Sequence, residues 1–187
     1  MFKKFIGTFS IYHLMVITFL AALGIAIKAV IVPFVHLITG PLFIPGGAIA
    51  GGLYMMFLVL SVSLTGKAGA ASLCGFVQAI MVLATGVGGH HGAFTLISYT
   101  VTGLAIDLLM LAMRHRGCCR LCCFLGGMVS NLTGTLVVNV AFFALPVIPL
   151  MLVLCSAALS GCIGGLIAWS LTRQLRKIGS LGGIPNG

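Results

Sequence analysis

The stretch Gly40–Gly52, GPLFIPGGAIAGG, lies between two long apolar runs and contains two prolines and five glycines. Proline removes a backbone donor, and glycine allows other chain segments to approach closely. Backbone polar groups at membrane depth must be covered by protein or water. A segment interrupted in this way just before a membrane span therefore indicates the wall of a binding site. The alternative is a plain reversal followed by a small-residue packing face.

The composition on both sides of this stretch is that of a membrane protein. Hydrophobic residues make up 60% of the 187 residues, charged residues only 6%, and the mean hydropathy is +1.27. Eleven charged side chains could not cover the surface of a soluble domain of this length. We therefore predict a single integral membrane domain over residues 1–187.

Six apolar runs predict an all-α protein with six transmembrane helices. We place the spans near residues 9–36, 43–64, 68–86, 92–113, 119–143 and 147–172. With the N-terminus inside, the inner segments hold Lys3, Lys4, Lys67, Arg114, Arg116, Arg120, Arg173, Arg176 and Lys177. The outer loops hold no lysine or arginine, so both termini are predicted to be cytoplasmic. The net charge of +9 is thereby assigned to orientation and to contact with anionic membrane lipid, and no nucleic-acid partner is expected.

The chain contains one acidic residue, Asp107, and no glutamate. This excludes enzymes that use paired carboxylates or acid-rich divalent-metal clusters. No G-x-S-x-G motif or pair of facing haem ligands is present, so we predict that the protein is not an enzyme and has no cofactor. Asp107 lies near the inner end of the fourth span, where we expect it to face Arg114 or to accept backbone donors.

Lys28 lies inside the first predicted span, away from the basic inner segments. A buried ammonium either snorkels to the membrane surface or serves function, here as a partner for a carboxylate, phosphate or electron-rich ring of a ligand. Polar residues at a similar depth indicate an aqueous pocket, or else hydrogen bonds between helices. These residues are Gln78, Thr95, Ser98, Tyr99, Thr102 and Asn139. Three histidines are predicted on the same side, His36, His90 and His91, and a metal site formed by them is a further alternative.

Two kinds of small-residue pattern remain. Ala22 and Ala26 form A-x-x-x-A on one face of the first span, and Ala157, Gly161 and Gly165 repeat the spacing in the sixth, where we predict packing within the bundle. Four cysteines near the start of the fifth span are interpreted first as small apolar packing residues and second as a zinc site. They are Cys118, Cys119, Cys122 and Cys123.

The chain resembles the S component, the substrate-binding membrane subunit, of energy-coupling factor (ECF) transporters. The resemblance covers most of residues 10–172 and lies in three features. They are the size with six spans and both ends inside, the A-x-x-x-A of Ala22 to Ala26, and the order of the segments GPLFIPGGAIAGG, GKAGAASLCGFVQAI and YTVTGLAIDLL.

The resemblance implies a high-affinity receptor for a vitamin, a vitamin precursor or a transition metal, located in a prokaryotic cell membrane. It also implies partners: a transmembrane coupling subunit, contacted through Ala22 and Ala26, and two cytoplasmic ATPase subunits. The S component would topple in the membrane to deliver its ligand. Its pocket would lie in the outer half, closed by the loops at Thr39–Gly47 and Gly86–Gly92.

Departures from the family pattern reduce the range of ligands that we expect. Metal-type members have a histidine directly after the initiator methionine, whereas this chain has Phe2, and no acidic residue lies in the outer half to hold a cation. We therefore expect a neutral or anionic ligand of aromatic or heterocyclic character. The predicted contacts are Lys28, His36, Gln78, His90, His91, Tyr99 and Asn139. A transition-metal-type S component, a stand-alone channel or secondary transporter, and an accessory subunit are the alternatives.

Overall fold

A computed structural model of the protein describes residues 9–39, 46–86, 92–113 and 119–181, with side chains as far as Ile178. The described chain is helical, which confirms the all-α prediction. Its helices are α1 (Ile11–Thr39), α2 (Gly46–Thr65), α3 (Ala70–Thr85), α4 (Phe94–Ala112), α5 (Arg120–Val138) and α6 (Val147–Leu181). A five-residue π-helical turn, Asn139–Phe143, continues α5.

Five of these helices are long and apolar enough to cross a membrane. The sixth, α3, has 16 residues, which at the rise of an α-helix gives about 24 Å against a hydrocarbon core of about 30 Å. It ends at Gly86, which adopts a left-handed conformation (φ 67°) and donates its backbone N–H to Val82. The predicted third span, residues 68–86, is likewise the shortest of the six, and six membrane crossings remain a prediction.

The central helix is α2, which contacts each of the other five. The others surround it in the order α1, α3, α4, α5 and α6, with neighbours in contact. Most of α2 is buried, and Leu58 and Val59 are fully so. The outer helices expose large apolar side chains such as Phe19, Leu108 and Leu159. Apolar residues on the outer surface are what a helix bundle in lipid requires, because lipid tails are themselves apolar.

Glycines bring α6 into close contact with its two neighbours. A Cβ added at Gly164 would overlap the carbonyl of Gly52 on α2, and one added at Gly161 would overlap the carbonyl of Gly127 on α5. Gly165 lies equally close to Cys123. Such contacts are possible only between small residues, which let helix backbones approach. The predicted packing role of the small residues of the sixth span is confirmed.

Arginine side chains make hydrogen-bond and cation–π contacts at the end of the bundle where α2, α4 and α6 finish. The guanidinium of Arg176 donates to the carbonyl of Ser63 (2.5 Å). The guanidinium groups of Arg120 and Arg173 lie 5.7 and 5.8 Å from the ring centroid of Trp169. These basic residues therefore share one end of the protein.

At the same end, Asp107 on α4 accepts two hydrogen bonds from Ser72 on α3, one from the backbone N–H (2.8 Å) and one from the hydroxyl (2.5 Å). The carboxylate thus satisfies a backbone donor in the first turn of α3, where helices leave N–H groups unpaired. One of the two roles expected from the sequence, acceptance of backbone donors, is therefore the one observed. The other proposed neighbour, Arg114, lies outside the described residues.

Three of the four clustered cysteines have structural contacts. Cys119 precedes α5 and accepts the backbone N–H of Cys122 at its sulfur (3.3 Å). Cys122 and Cys123 are fully buried, and the sulfur of Cys123 lies 3.4 Å from the Ser63 hydroxyl. These contacts agree with the interpretation as packing residues. Cys118 lies outside the described residues.

The last helix is longer than its predicted span. We expected the sixth span to end near residue 172, but α6 continues to Leu181. The added turns carry Arg173, Arg176 and Lys177, and such long side chains are good helix formers. A hydropathy window detects only the apolar part of a helix, so the basic extension was missed.

Candidate functional site

A cavity of about 600 Å³ opens into the bundle at the end opposite the basic residues just described. It lies where α1 and α5 finish and where α2, α4 and α6 begin. A pocket of this size is typical of small-molecule sites. Its lining comprises Lys28, Ala29, Val32, Pro33, His36, Gly47, Ala48, Tyr54, Met55, Thr95, Ser98, Tyr99, Asn131, Gly134, Thr135, Val138, Asn139, Phe143, Leu145 and Val153.

Lys28 points into this cavity and is only 8% exposed. Its ammonium donates to the phenol oxygen of Tyr99 (2.7 Å). It also lies 5.2 Å from the ring centroid of Tyr99 and 5.7 Å from that of Tyr54, distances at which a cation is attracted to an aromatic face. A snorkelling lysine would instead extend its ammonium to the membrane surface. Here the ammonium is buried against Tyr99 inside the bundle, and its contact with a ligand stays a prediction.

The first turns of α2 form one wall. Gly47 and Ala48 line the cavity, and the hydroxyl of Tyr54 donates to the carbonyl of Gly47 (3.4 Å). A Cβ at Gly46 would lie 3.1 Å from the His36 ring, so α2 begins in tight contact with that side chain. In the described part of the segment 40–52, the start borders a cavity and the final glycines pack against other helices.

Two asparagines of the cavity lining, Asn131 on α5 and Asn139 in the π-helical turn, form hydrogen bonds with backbone groups. The amide nitrogen of Asn131 donates to the carbonyls of Ala48 on α2 and Ala157 on α6, both at 2.8 Å. The side-chain oxygen of Asn139 accepts a hydrogen bond from the backbone N–H of Leu145 (3.3 Å). The backbone carbonyl of Asn139 accepts one from the backbone N–H of Ala144 (2.8 Å). Asn139 therefore stabilises the π-helical turn at the cavity edge, a kind of distortion often found at functional sites.

Four of the seven predicted contact residues line the cavity, namely Lys28, His36, Tyr99 and Asn139. His90 and His91 lie outside the described residues. Tyr54 and Asn131 were not proposed from the sequence. The asparagine within the apolar run of α5 was a usable signal, because an amide in a membrane span needs polar partners. Tyr54 gave no such signal, since tyrosine is common in apolar segments.

Gln78 is the predicted residue that the structure places elsewhere. It is fully buried on α3 against Gly24 of α1, where a Cβ added to the glycine would overlap its amide nitrogen. In the described part of the chain, neither polar atom of its side chain has a hydrogen-bond partner. Gln78 is absent from the lining of this cavity, and a direct contact with ligand stays a prediction.

The A-x-x-x-A motif lies on the outer face of α1. Ala26 is exposed and Ala22 half-buried, and the same face exposes Phe19 and Val30. An open strip of small side chains bordered by large ones could receive another membrane helix. The predicted role of Ala22 and Ala26 in contacting a coupling subunit is not tested by this geometry.

Charge in the cavity is positive or neutral. Its lining includes Lys28 and His36 and no acidic residue. The single acidic side chain of the sequence, Asp107, bonds Ser72 near the opposite end of the bundle. Among the described residues, no group of three or more histidine, cysteine or acidic side chains is placed to hold a metal ion. The described lining is therefore suited to a ligand with hydrogen-bond acceptors.

Comparison with known proteins assigns a family to this architecture. Residues 13–133 match the family described as "ABC-type cobalt transport system, permease component", and because the match covers more than half of the sequence, the chain belongs to that family. Among solved structures, it is similar to one described as "Crystal structure of an S-component of ECF transporter". The TM-score is 0.79 at 19% sequence identity, over 94% of this chain and 90% of the other. Curated protein sequences gave no match.

The fold is therefore that of an ECF transporter S component, and the resemblance predicted from the sequence is confirmed at this level.

Proposed function

We propose that the protein is the substrate-binding S component of an ECF-type ABC importer in a prokaryotic cell membrane. It captures a vitamin, a vitamin precursor or a related small solute from outside the cell. The cavity of about 600 Å³ at the non-basic end of an S-component fold is the observation that carries this proposal. A transmembrane coupling subunit and two ATPase subunits would complete the transporter.

The direction of capture follows from the distribution of charge. Lys67, Arg120, Arg173, Arg176 and Lys177 belong to the end away from the cavity. If the positive-inside rule holds for this chain, that end and both termini are cytoplasmic and the cavity opens outside. A membrane-impermeant thiol reagent would test this on a cysteine introduced at Thr135 in the cavity. Labelling in intact cells is expected, and labelling only after permeabilisation would contradict the orientation.

An organic solute suits the described cavity better than a bare metal ion. The description of the family names cobalt, but an ammonium in the cavity repels cations, and a transition metal needs several nitrogen, sulfur or oxygen ligands. Small-molecule mass spectrometry and metal analysis of the purified protein would separate the two. We expect a retained organic molecule. Stoichiometric cobalt or nickel would instead identify a transition-metal-type S component.

The partners can be tested by copurification. We expect the tagged chain to be isolated with a membrane subunit and a pair of ATPases, and uptake to stop when these are deleted. Uptake that survives the deletion would favour a stand-alone channel or secondary transporter. Because Ala26 lies on an open face of α1, Ala26→Leu should weaken the complex while solute binding is retained. Ala112→Leu, the same change at an exposed site on α4, is the control.

A further inference from the structure

Two hydrogen-bond donors of the cavity, the Lys28 ammonium and the Tyr99 hydroxyl, lie next to each other. An ammonium can donate hydrogen bonds but cannot accept them, so in the contact between Lys28 and Tyr99 the phenol oxygen must be the acceptor. The proton of the Tyr99 hydroxyl then remains to be donated elsewhere. None of the hydrogen bonds in the described part of the chain uses it. Tyr54 differs, because its hydroxyl donates to the Gly47 carbonyl.

The position of these donors is fixed by packing. Lys28 and Tyr99 are 8% and 5% exposed, and the ammonium lies near the faces of two buried rings. Groups held in one geometry before binding lose little conformational freedom when a ligand arrives. The two donors are also adjacent, as the two oxygens of a carboxylate require.

The remaining surface determines the rest of the ligand. No acidic residue lines the cavity, and its walls include apolar side chains from α1, the π-helical turn and the start of α6. Examples are Val32, Pro33, Phe143 and Val153. A dianionic phosphate is usually held by several cations or bidentate arginines, whereas the described lining contains one lysine, one histidine and no arginine. The lining therefore matches a single negative charge on a largely apolar body.

We infer that the solute is a monocarboxylate with a ring or other compact apolar body, and that Lys28 and Tyr99 together bind its carboxylate. This inference rests on the proposed function and names the substrate class of the same cavity. Lys28 supplies the charge. The phenol oxygen of Tyr99 accepts a hydrogen bond from the ammonium and keeps it in place, and the hydroxyl of Tyr99 donates a hydrogen bond to the second carboxylate oxygen.

The test uses matched pairs of acid and amide, because they have the same shape and differ in charge. The probes are benzoate and benzamide, pyridine-3-carboxylate and pyridine-3-carboxamide, and 2-naphthoate and 2-naphthamide. Each is titrated at millimolar concentration into the purified full-length chain in lipid nanodiscs, and the shift of the thermal unfolding midpoint is recorded. We expect at least one acid to stabilise the protein and its amide to bind at least about tenfold more weakly, since a charge-assisted hydrogen bond is lost.

Variants then assign the preference to the two residues. Lys28→Met should remove the preference for acids, and Lys28→Arg should retain it. Tyr99→Phe, which deletes only the hydroxyl, should weaken acid binding about threefold to tenfold and weaken amide binding less, because a bond to a charged acceptor is the stronger one. Lys67→Met removes a lysine at the other end of the protein and should bind like the unmodified chain.

Three results would overturn the inference: amides that bind as tightly as the acids, an acid set that gives no stabilisation, or a folded Lys28→Met protein that keeps the preference. The comparison of acids with amides uses the unmodified chain, so it remains decisive if a variant does not fold. Copurification with the ATPases tests the proposed function separately. A chain that forms that complex but prefers amides loses only this inference, and one that prefers acids without forming the complex loses only the importer assignment.

Discussion

Replacing Gly127 with alanine should force α5 and α6 apart. A Cβ built at this position would lie 2.7 Å from the backbone nitrogen of Gly165 and 2.8 Å from its Cα, below the 3.0 Å that real Cβ atoms keep. An ordinary carbon–carbon contact is about 3.5–4.0 Å, so the two helices would have to separate by about 1 Å. The obstacle is backbone, and no change of side-chain rotamer can relieve it.

The expected loss of stability follows from two opposing terms. Overpacking a well-packed interior costs about 1–3 kcal/mol, and the upper part of that range applies where two backbones collide. Exchanging glycine for alanine within a helix returns about 1 kcal/mol. We therefore expect Gly127→Ala to lower the free energy of unfolding by about 2 kcal/mol.

Gly134 provides the matched control, seven residues later on the same helix. A Cβ there would meet the Thr102 hydroxyl at 3.4 Å and the Met55 methyl at 3.6 Å, which are ordinary contacts. Gly134→Ala should therefore be neutral or stabilising by up to about 1 kcal/mol. Reversible unfolding by sodium dodecyl sulfate in mixed micelles measures both variants. The reasoning is refuted if Gly127→Ala unfolds like the unmodified chain, or if Gly134→Ala loses as much stability as Gly127→Ala.

Other substitutions test further contacts. Asp107→Ala should destabilise by about 2 kcal/mol, because Ser72 loses a charged acceptor. Asp107→Asn, which keeps an acceptor oxygen, should cost less, and solute binding should be unchanged in both; a loss of binding in the folded Asn variant would place Asp107 in the mechanism. Asn131→Ala removes the two hydrogen bonds that link α5 to α2 and α6 and should cost about 1–3 kcal/mol in thermal or chemical unfolding; an unchanged midpoint would show that these bonds add nothing. Purification without a histidine tag should give protein with far less than one zinc per chain by elemental analysis, and stoichiometric zinc would revive a site at the clustered cysteines.

Hydropathy and charge were sufficient to predict the architecture. Each of the six apolar runs contains a helix, because burial in lipid depends on side-chain composition over many residues and tolerates local detail. The same method missed the end of α6, whose last turns are basic and lie beyond the apolar window. It also missed the π-helical turn at Asn139, which depends on local hydrogen bonds to Ala144 and Leu145.

The cavity was only partly predictable. Lys28 was identifiable because a cation in an apolar run is costly, and Asn139 because an amide there needs partners. The direction of a side chain depends on how helices rotate and pack, which no single span specifies. Gln78 and Lys28 are both polar residues at a similar predicted depth, yet only Lys28 lines the cavity.

The length of α6 affects how the whole protein can move. Its 35 residues make a rod of about 52 Å, which would fit within a hydrocarbon core of about 30 Å only at a tilt of about 55°. Membrane helices rarely tilt beyond about 40°. Part of the rod must therefore project into the headgroup layer, and the projecting part carries Arg173, Arg176 and Lys177. Any large reorientation of the bundle would move these charges past lipid phosphates. The rate of reorientation should therefore depend on the anionic lipid content of the membrane.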